Sequence, residues 1–258
     1  MASFNTQGAV HTRHNGRASG TTRTVWMKDL LLAHHVDLVA LQEFERVQVS
    51  TFLRVAGGTY DVYPGVAGRS RDGENAIAWR KDTFELVRGQ TRPYPYFNGQ
   101  IRNMPRVLLR HRKTGVEFWV TSYHNPASIK KFPHQQGWRA RAVSRQIADA
   151  NALLGATQDQ LVVAGDMNDR ATYFCRMAGS TPMHSADGST FAGGCRMAAR
   201  PWIDWILGSG DVTFSAYQRD RSSFVRKTSD HPIVVTQVSV KGAPGAGRRA
   251  DPGPGAGN

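Results

Sequence analysis

The sequence predicts an α/β protein in which two packed β-sheets carry helices on their outer faces. Apolar runs of strand length outnumber the helical patterns, and hairpin-like pairs are mixed with strand–helix–strand units. This mixture disfavours a purely parallel, doubly wound sheet. The 258 residues, 40% of them hydrophobic, are sufficient for one large domain. We predict that this domain covers residues 1–240 and that residues 241–258 form a flexible Gly/Pro/Arg-rich tail.

The first half of the chain combines strand-like runs with two helical patterns. Trp26, Met27, Leu30 and Leu31 recur at helical spacing, which predicts a helix over residues 24–35. A second helix is predicted over residues 46–55, and residues 7–22 are predicted to form a loop. The predicted strands of this half are 2–6, 37–43, 60–64, 75–80 and 84–88, with a Gly-, Arg- and Ser-rich loop between the third and fourth of them.

The second half is predicted to contain a hairpin, one long helix and further strands. Residues 89–103 are predicted to be irregular, and residues 173–194 to be a long connection that contains Cys175 and leads directly to Cys195. The hairpin joins residues 107–109 to 116–123 through a turn at 113–115. An apolar stripe of Val143, Ile147, Ala150 and Leu154 predicts the helix over residues 138–154. The remaining predicted strands are 161–164, 202–207, 212–217 and 233–240.

The charge balance of the chain is strongly basic. Lys and Arg total 33 against 20 Asp and Glu, which gives a net charge of +13. This sign favours polyanionic partners such as nucleic acid or an anionic membrane surface, although a general solubility charge would look the same. No apolar run approaches the length of a transmembrane helix.

The compartment is left open by the sequence. No signal peptide precedes the first strand-like stretch, so secretion would require the removal of an upstream segment. Cys175 and Cys195 are compatible with one disulfide or with two reduced thiols, and their spacing does not match a zinc site. We expect the protein to be a monomer.

One stretch, residues 161–169, has the pattern of a buried strand that ends at a site. Four apolar residues precede Gly165, which allows a close backbone approach, and Asp166 and Asn168 follow two residues apart. In an extended chain these two side chains point to the same side. Open α/β sheets place their ligands at such strand ends, whereas an ordinary polar turn is the alternative interpretation.

Several other strand-like runs also end in, or are interrupted by, polar residues with chemical potential. Asp204 stands between Ile203 and Trp205, where a buried acid is costly unless it is paired or hydrogen-bonded. The full set is Asn5, Glu43, His124, Asp166, Asn168, Asp204, Asp230 and His231.

The ordered motifs resemble those of the endonuclease/exonuclease/phosphatase superfamily, also called deoxyribonuclease-I-like. They are Ser3-Phe4-Asn5, Gln42-Glu43, His124, Gly165-Asp166-Met167-Asn168, Ile203-Asp204-Trp205-Ile206-Leu207 and Ser229-Asp230-His231-Pro232. Each motif is short, but six in the same order over residues 3–240 are specific. The resemblance implies a four-layer α/β/β/α sandwich and a divalent-metal-dependent phosphoesterase.

For the metal, the resemblance and the chemistry of the donors indicate the same residues. Glu43 is the expected ligand, because a hard carboxylate suits Mg²⁺ or Mn²⁺, with Ca²⁺ as a further candidate. Asn5 is expected to hold the metal or its water shell. Asp230 is expected to supply a second carboxylate.

For catalysis, the resemblance implies an acid–imidazole pair between Asp204 and His231 that activates water or stabilises the phosphate. Asp166 and Asn168 are expected to orient the nucleophile and bind a phosphoryl oxygen. The base role stays open between Asp166 and His231. 

A second imidazole, His124, is expected to protonate the leaving oxygen. Glu74 is its predicted partner, because residues 73–80 resemble the family segment that carries such a glutamate. A loop carboxylate without that role is the alternative for Glu74.

The basic regions 88–113 and 130–145 contain interleaved aromatic residues, which favour contact with phosphates and bases. We therefore expect DNA as the substrate, cleaved with little sequence specificity. Phospholipid head groups or small phosphate esters are the alternative substrates, and a catalytically inactive binding module is the alternative of another class. Asn125 and Arg170 adjoin motif residues and are further candidates for phosphate contact.

The chain departs from the family pattern in three places. Only four residues precede Asn5, the residues after His124 are Asn125-Pro126 where His-Leu is commoner, and the Cys-Asp-Arg of inositol-polyphosphate 5-phosphatases is absent. The absence of Cys-Asp-Arg argues against an inositide as the substrate.

Overall fold

Two six-stranded β-sheets lie face to face in the computed structural model, which describes residues 1–67, 74–198 and 201–242. Residues 68–73 of the predicted loop between strands 60–64 and 75–80, and residues 243–258 of the predicted tail 241–258, lie outside the described residues. The first strands are β1 (Ala2–Asn5), β2 (Leu38–Gln42), β3 (Tyr60–Tyr63), β4 (Asn75–Arg80), β5 (Phe84–Pro95), β6 (Ile101–His111) and β7 (Glu117–His124). The others are β8 (Gln160–Asp166), β9 (Met183–Ser185), β10 (Thr190–Phe191), β11 (Cys195–Arg196), β12 (Asp204–Ser209), β13 (Val212–Asp220) and β14 (Ile233–Val240).

Five α-helices accompany these strands in the described part of the chain. They are α1 (Gly20–Ala33), α2 (Arg46–Ala56), α3 (Gln136–Ala156), α4 (Ala171–Ser180) and α5 (Ser223–Thr228). None of them combines the length and the hydropathy needed to span a bilayer. The predicted helices over 46–55 and 138–154 are confirmed with slightly wider bounds, whereas the helix predicted over 24–35 begins within the predicted loop 7–22 and ends at Ala33.

The two sheets share one design, in which a central parallel pair is flanked by antiparallel strands. The first sheet has the order β13-β14-β1-β2-β4-β3, with β1 parallel to β2. The second has the order β5-β6-β7-β8-β12-β9, with β7 parallel to β8. The predicted mixed sheets are therefore confirmed.

Three apolar clusters hold the layers together. Leu38, Ile77, Val120 and Val162 belong to the cluster between the sheets. A second cluster packs α1, α2 and α5 on the first sheet, and a third packs α3 and α4 on the second. Each sheet buries both faces, one on the other sheet and one on helices, so the expected four-layer α/β/β/α sandwich is confirmed.

A buried hydrogen bond joins the sheets just below the edge at which β1, β2, β7 and β8 end. Gln42 Nε2 donates to the Ser122 hydroxyl (3.0 Å), and that hydroxyl donates to the Leu41 carbonyl (3.0 Å). Unpaired polar atoms are costly in such a place, so this bond helps to set how the two sheets align.

The prediction of an irregular segment over residues 89–103 is wrong. Instead, β5 continues to Pro95 and pairs with β6 in a long hairpin, with Tyr94 opposite Arg102. The Gly and Pro residues in the segment suggested a loop, but cross-strand pairing and burial of the tyrosines override that local preference.

The prediction of a long connection over residues 173–194 is also wrong in its first part. Helix α4 covers much of it, with Tyr173, Phe174 and Met177 buried at helical spacing. Cys175 on α4 and Cys195 on β11 form a disulfide, so the bonded alternative holds. The short helix α5 was likewise not predicted. Asp204 stands at the start of β12 rather than in the middle of a strand.

Candidate active site

The polar residues picked out by the motifs gather at one edge of the sandwich. Asn5 ends β1, His124 ends β7 and Asp166 ends β8, while Glu43 follows β2 directly. Strand β12 runs the other way and begins at this edge, with Asp204 opposite Asp166. The antiparallel β14 begins here too, two residues after His231.

Asp166 lies at the centre of this cluster. Its Oδ2 accepts a hydrogen bond from Asn5 Nδ2 (3.0 Å) and lies 3.6 Å from Nε2 of both His124 and His231. Burial raises the pKa of Asp166, and the positive field of His231 offsets only part of that effect. Asp166 is therefore a stronger base than an exposed aspartate.

Gly165 explains why the strand can deliver Asp166 to this position. Its φ is +152°, and a Cβ there would lie 1.9 Å from the Tyr123 carbonyl oxygen on β7. The close backbone approach expected at this glycine is confirmed.

His231 and Asp204 form the predicted acid–imidazole pair. His231 Nδ1 lies 3.0 and 3.1 Å from the two carboxylate oxygens of Asp204, which is 3% exposed. Burial alone would lower the pKa of His231, but the charges of Asp204 and Asp166 outweigh it and raise the pKa to about 10. At neutral pH this imidazole is therefore protonated on both nitrogens and positively charged in the metal-free protein.

His124 is the opposite case. Burial lowers the pKa of His124, so this imidazole is neutral at pH 7. The Tyr96 hydroxyl lies 3.4 Å from His124 Nδ1, and burial raises the pKa of Tyr96, which keeps the phenol protonated. The phenol can then donate to Nδ1, which places the imidazole proton on Nε2, the atom facing Asp166.

The predicted pairing of Glu74 with His124 is wrong. Glu74 instead accepts a hydrogen bond from Arg102, whose guanidinium lies 4.0 Å from the centre of the Tyr96 ring. Glu74 therefore reaches His124 only through Arg102 and Tyr96. Sequence reasoning missed both of these residues because they face the site only when β5 and β6 pair as one hairpin.

Glu43 has the environment of an ionised carboxylate. Burial opposes its ionisation, but the His124 ring, the Gly8 N–H and the Asn5 amide outweigh it and lower the pKa of Glu43. The Gly8 N–H donates to Oε2 (3.0 Å) and Asn5 Nδ2 to Oε1 (3.1 Å). The exposed His11, missed by the sequence analysis, lies 3.7 Å from Oε2.

Glu43 and Asp166 converge on the same amide of Asn5, one from each sheet. Two carboxylates held this close favour a divalent cation between or beside them, since oxygen donors suit a hard ion. The side-chain oxygen Oδ1 of Asn5 accepts a hydrogen bond from the Gln7 N–H (3.0 Å). The side-chain nitrogen Nδ2 is therefore the atom that faces the acids. A second grouping that could hold a metal comprises Asp166, Asp204 and His231.

Asp230 is exposed at the rim, where its carboxylate accepts from the Ser229 hydroxyl (3.4 Å). Its role as a metal ligand stays a prediction.

Asn168 does not lie in an extended chain. Its φ is +48°, its backbone N–H donates to Asp166 Oδ1 (2.9 Å), and its Nδ2 donates to the Asn125 carbonyl (2.9 Å). The prediction that Asp166 and Asn168 point the same way along a strand is therefore wrong. Asn168 instead closes a turn that fixes the Asp166 carboxylate.

Aromatic residues in the first of the two regions predicted to bind nucleic acid are buried or half-buried instead of exposed. Tyr94 and Tyr96 are 1% and 5% exposed, so they are core residues rather than stacking platforms. Phe97 is half-buried and stacks on Phe132 with ring centres 4.5 Å apart.

Within the described residues, a pocket of about 740 Å³ opens at the end of the sandwich opposite to this cluster. It is lined by the start of β2 and the end of β14, and by none of the predicted site residues. This pocket therefore does not mark the candidate active site, which is identified by its residue types and their geometry.

The family model described as Endonuclease/Exonuclease/phosphatase family matches residues 2–231. The chain therefore belongs to this family, whose members are phosphoesterase hydrolases that typically use divalent metals. No curated protein matches the chain.

Solved structures with the same fold differ in what their names say. The human Nocturnin catalytic domain with bound sulfate matches with a TM-score of 0.70 and 16% identity over 93% of this chain and 94% of that chain. A mannosyl-6-phosphatase from Bacteroides thetaiotaomicron matches with 0.68 and 19% identity over 92% and 98%. D. rerio TDP2 complexed with single-strand DNA product matches with 0.67 and 17% identity over 93% and 98%. 

Proposed function

We propose that the protein is a divalent-metal-dependent phosphodiester hydrolase that cleaves DNA with little sequence specificity. The observation that carries the proposal is the convergence of two imidazoles and the Asn5 amide on the Asp166 carboxylate. Phosphodiester hydrolysis needs a base for water, positive charge at the phosphoryl oxygens and a donor to the leaving oxygen. The cluster supplies a residue suited to each task.

Asp166 is the group we assign to water. Its raised pKa lets it accept a proton from the attacking water more readily than an exposed carboxylate would. Asn168 holds this carboxylate through its backbone N–H. The alternative base, His231, is protonated at neutral pH in the metal-free site, which favours Asp166 for this role.

His231 and His124 then have different duties. The protonated His231, held by Asp204, donates to a phosphoryl oxygen and offsets its charge. The neutral His124 donates a hydrogen bond from its Nε2–H to the leaving oxygen and keeps its proton, with Tyr96 fixing the tautomer. Glu74 and Arg102 hold Tyr96 in place for this task.

Glu43 would hold the divalent metal, with Asp230 as a further carboxylate, and Asn5 would orient the Glu43 and Asp166 carboxylates through its amide N–H groups. When bound, Mg²⁺ or Mn²⁺ supplies positive charge at the phosphoryl oxygens. Glu43 suits this role because it is kept ionised and fixed by two donors, the Gly8 N–H and the Asn5 amide.

DNA is proposed as the substrate because the net charge of +13 favours a polyanion. The complex of D. rerio TDP2 with single-strand DNA product supports a strand-binding role for the same fold. The mannosyl-6-phosphatase neighbour keeps small phosphate esters as the competing substrate class.

The test is nicking of supercoiled plasmid by the wild-type protein with Mg²⁺, with Mn²⁺ and with EDTA. We expect metal-dependent nicking that is abolished in His231→Ala. His35→Asn is the matched control, because His35 is exposed at the other end of the sandwich and asparagine tolerates its φ of +50°. If neither metal supports nicking while small phosphate esters or phospholipids are hydrolysed, the DNA assignment is wrong.

A further inference from the structure

Three arginines surround the Trp202 ring next to the active site. The guanidinium carbons of Arg170, Arg219 and Arg221 lie 5.1, 5.7 and 4.5 Å from the ring centre. Trp202 precedes Asp204 by two residues, so this group adjoins the acid that pairs with His231. Arg170 is also tied to the chain beside the ring, since its Nη1 donates to the Pro201 carbonyl (2.9 Å).

Arg221 connects this group to His231. It lines a pocket of about 180 Å³ together with Arg17, Arg226 and His231. Arg17 Nη2 donates to the Arg226 carbonyl (2.7 Å), so these two arginines are held side by side. One carboxylate, that of the exposed Asp230, lines the same pocket. The result is a continuous positive surface, which we call the arginine surface: Arg17, Arg170, Arg219, Arg221, Arg226 and Trp202.

No carboxylate of the described residues forms an ion pair with the arginine surface. In the described ranges of the chain, none of its five arginines has a carboxylate oxygen within 4.0 Å. The aromatic ring attracts the guanidinium groups through its negative face but contributes no opposite charge. The N–H donors that are not used in bonds to the carbonyls of Pro201, Arg226 and Arg221 stay available for an anion, and the mutual repulsion of the arginines is relieved when one binds.

Three arginines of the hairpin of β5 and β6, which was first predicted to bind nucleic acid, are paired with acids. Arg92 pairs with Asp149 (2.9 Å), Arg110 pairs with Glu117 (2.6 Å), and Arg102 pairs with Glu74. These ion pairs consume both charge and donors. The arginine surface on the His231 side of the site contains no such pair among the described residues.

We propose that the arginine surface is a second phosphate-binding subsite, which holds the strand phosphates next to the scissile one on the His231 side. This inference rests on the proposed function, because it requires a substrate with several phosphates in a chain, namely a nucleic-acid strand. A phosphate monoester or a phospholipid head group with one phosphate would leave the subsite unfilled. Trp202 acts as a positioning residue that orients the guanidinium groups.

Binding of a short fluorescent DNA oligonucleotide in EDTA tests the subsite without turnover. The test variant is R170Q/R219Q/R221Q, and its matched control is R54Q/R112Q/K113Q, which removes three exposed charges elsewhere. We expect the test variant to bind at least about tenfold more weakly and its slope of log K against log salt to be shallower by about 2, or about 0.7 per lost phosphate contact. The control variant should keep the wild-type slope.

Two further measurements separate the subsite from the catalytic site. Hydrolysis of bis-p-nitrophenyl phosphate, which has one phosphate, should proceed with unchanged kcat/KM in R170Q/R219Q/R221Q, whereas KM for DNA rises. Trp202→Leu should reproduce the weaker DNA binding with all arginines present, and Trp202→Phe should restore most of it.

Equal weakening of DNA binding in the test and control variants would overturn the subsite. So would a matching loss of bis-p-nitrophenyl phosphate hydrolysis in the test variant, because the arginines would then support the reaction centre itself. If the wild type hydrolyses neither substrate, the proposed function fails, yet the oligonucleotide binding still decides the subsite.

Discussion

Both carboxylate oxygens of Asp204 lie within 3.1 Å of His231 Nδ1, in a site where the acid is almost completely buried. Asp204 begins strand β12, whereas His231 lies in the segment just before β14. A buried carboxylate is expensive without a cationic partner, and a buried imidazolium is equally so. The Asp204 carboxylate therefore keeps the His231 imidazole charged.

Asp204→Asn should remove the larger of the two charges that keep His231 protonated. Asp166 then remains to oppose burial, so we expect the pKa of His231 to fall clearly from about 10, which NMR titration of the ring nitrogens measures. Turnover should fall about 10²- to 10⁴-fold. Asp220→Asn is the control, since Asp220 pairs with His34 instead. A His231 pKa that stays near its wild-type value would refute this account.

The pH dependence of stability should report His231 directly. Its pKa in the folded protein, about 10, lies above the ordinary 6.5, so protonation stabilises the fold. This contribution is complete below about pH 6.5 and is lost as the pH rises toward 10. Urea unfolding of the metal-free protein across this window should show a loss of a few kcal/mol relative to His231→Asn. Parallel curves for the two proteins would contradict the raised pKa.

Asp166→Asn should separate stability from activity. Because burial raises the pKa of Asp166, its ionised form destabilises the fold above the folded pKa, and the neutral amide removes that cost. We expect the free energy of unfolding at pH 8 to increase, with turnover reduced about 10²- to 10⁴-fold. Asp211→Asn, at an exposed turn, should change neither. Near-normal turnover in folded Asp166→Asn would remove Asp166 from the mechanism.

Glu43→Gln should weaken metal binding while leaving the fold intact. The amide keeps an oxygen that can accept from the Gly8 N–H, but one anionic ligand is lost. We expect the Mg²⁺ or Mn²⁺ concentration for half-maximal activity to rise at least about tenfold. Glu85→Gln, which changes an exposed glutamate paired with Arg110, serves as the control. An unchanged metal titration would exclude Glu43 as a ligand.

Much of the fold and of the site follows from local pattern. The strands that end in Asn5, His124 and Asp166 were predictable because an apolar run followed by a polar residue marks a buried strand with an exposed end. The pairing of Asp204 with His231 was predictable because a buried acid requires a partner. The hairpin of β5 and β6 was not predictable, since its Gly and Pro residues favour loops locally.

The sequence by itself determined the layer architecture, the family and which acids and imidazoles meet at the sheet edge. Only the tertiary structure decided how those residues are paired and charged. Glu74 contacts Arg102 instead of His124, and one imidazole is protonated while the other is neutral. Likewise, Arg17, Arg170 and Arg221 meet on one surface although they are far apart in the chain. The physical reason is that periodicity encodes burial, whereas a pKa or an ion pair depends on distances between side chains that strand register and sheet packing set.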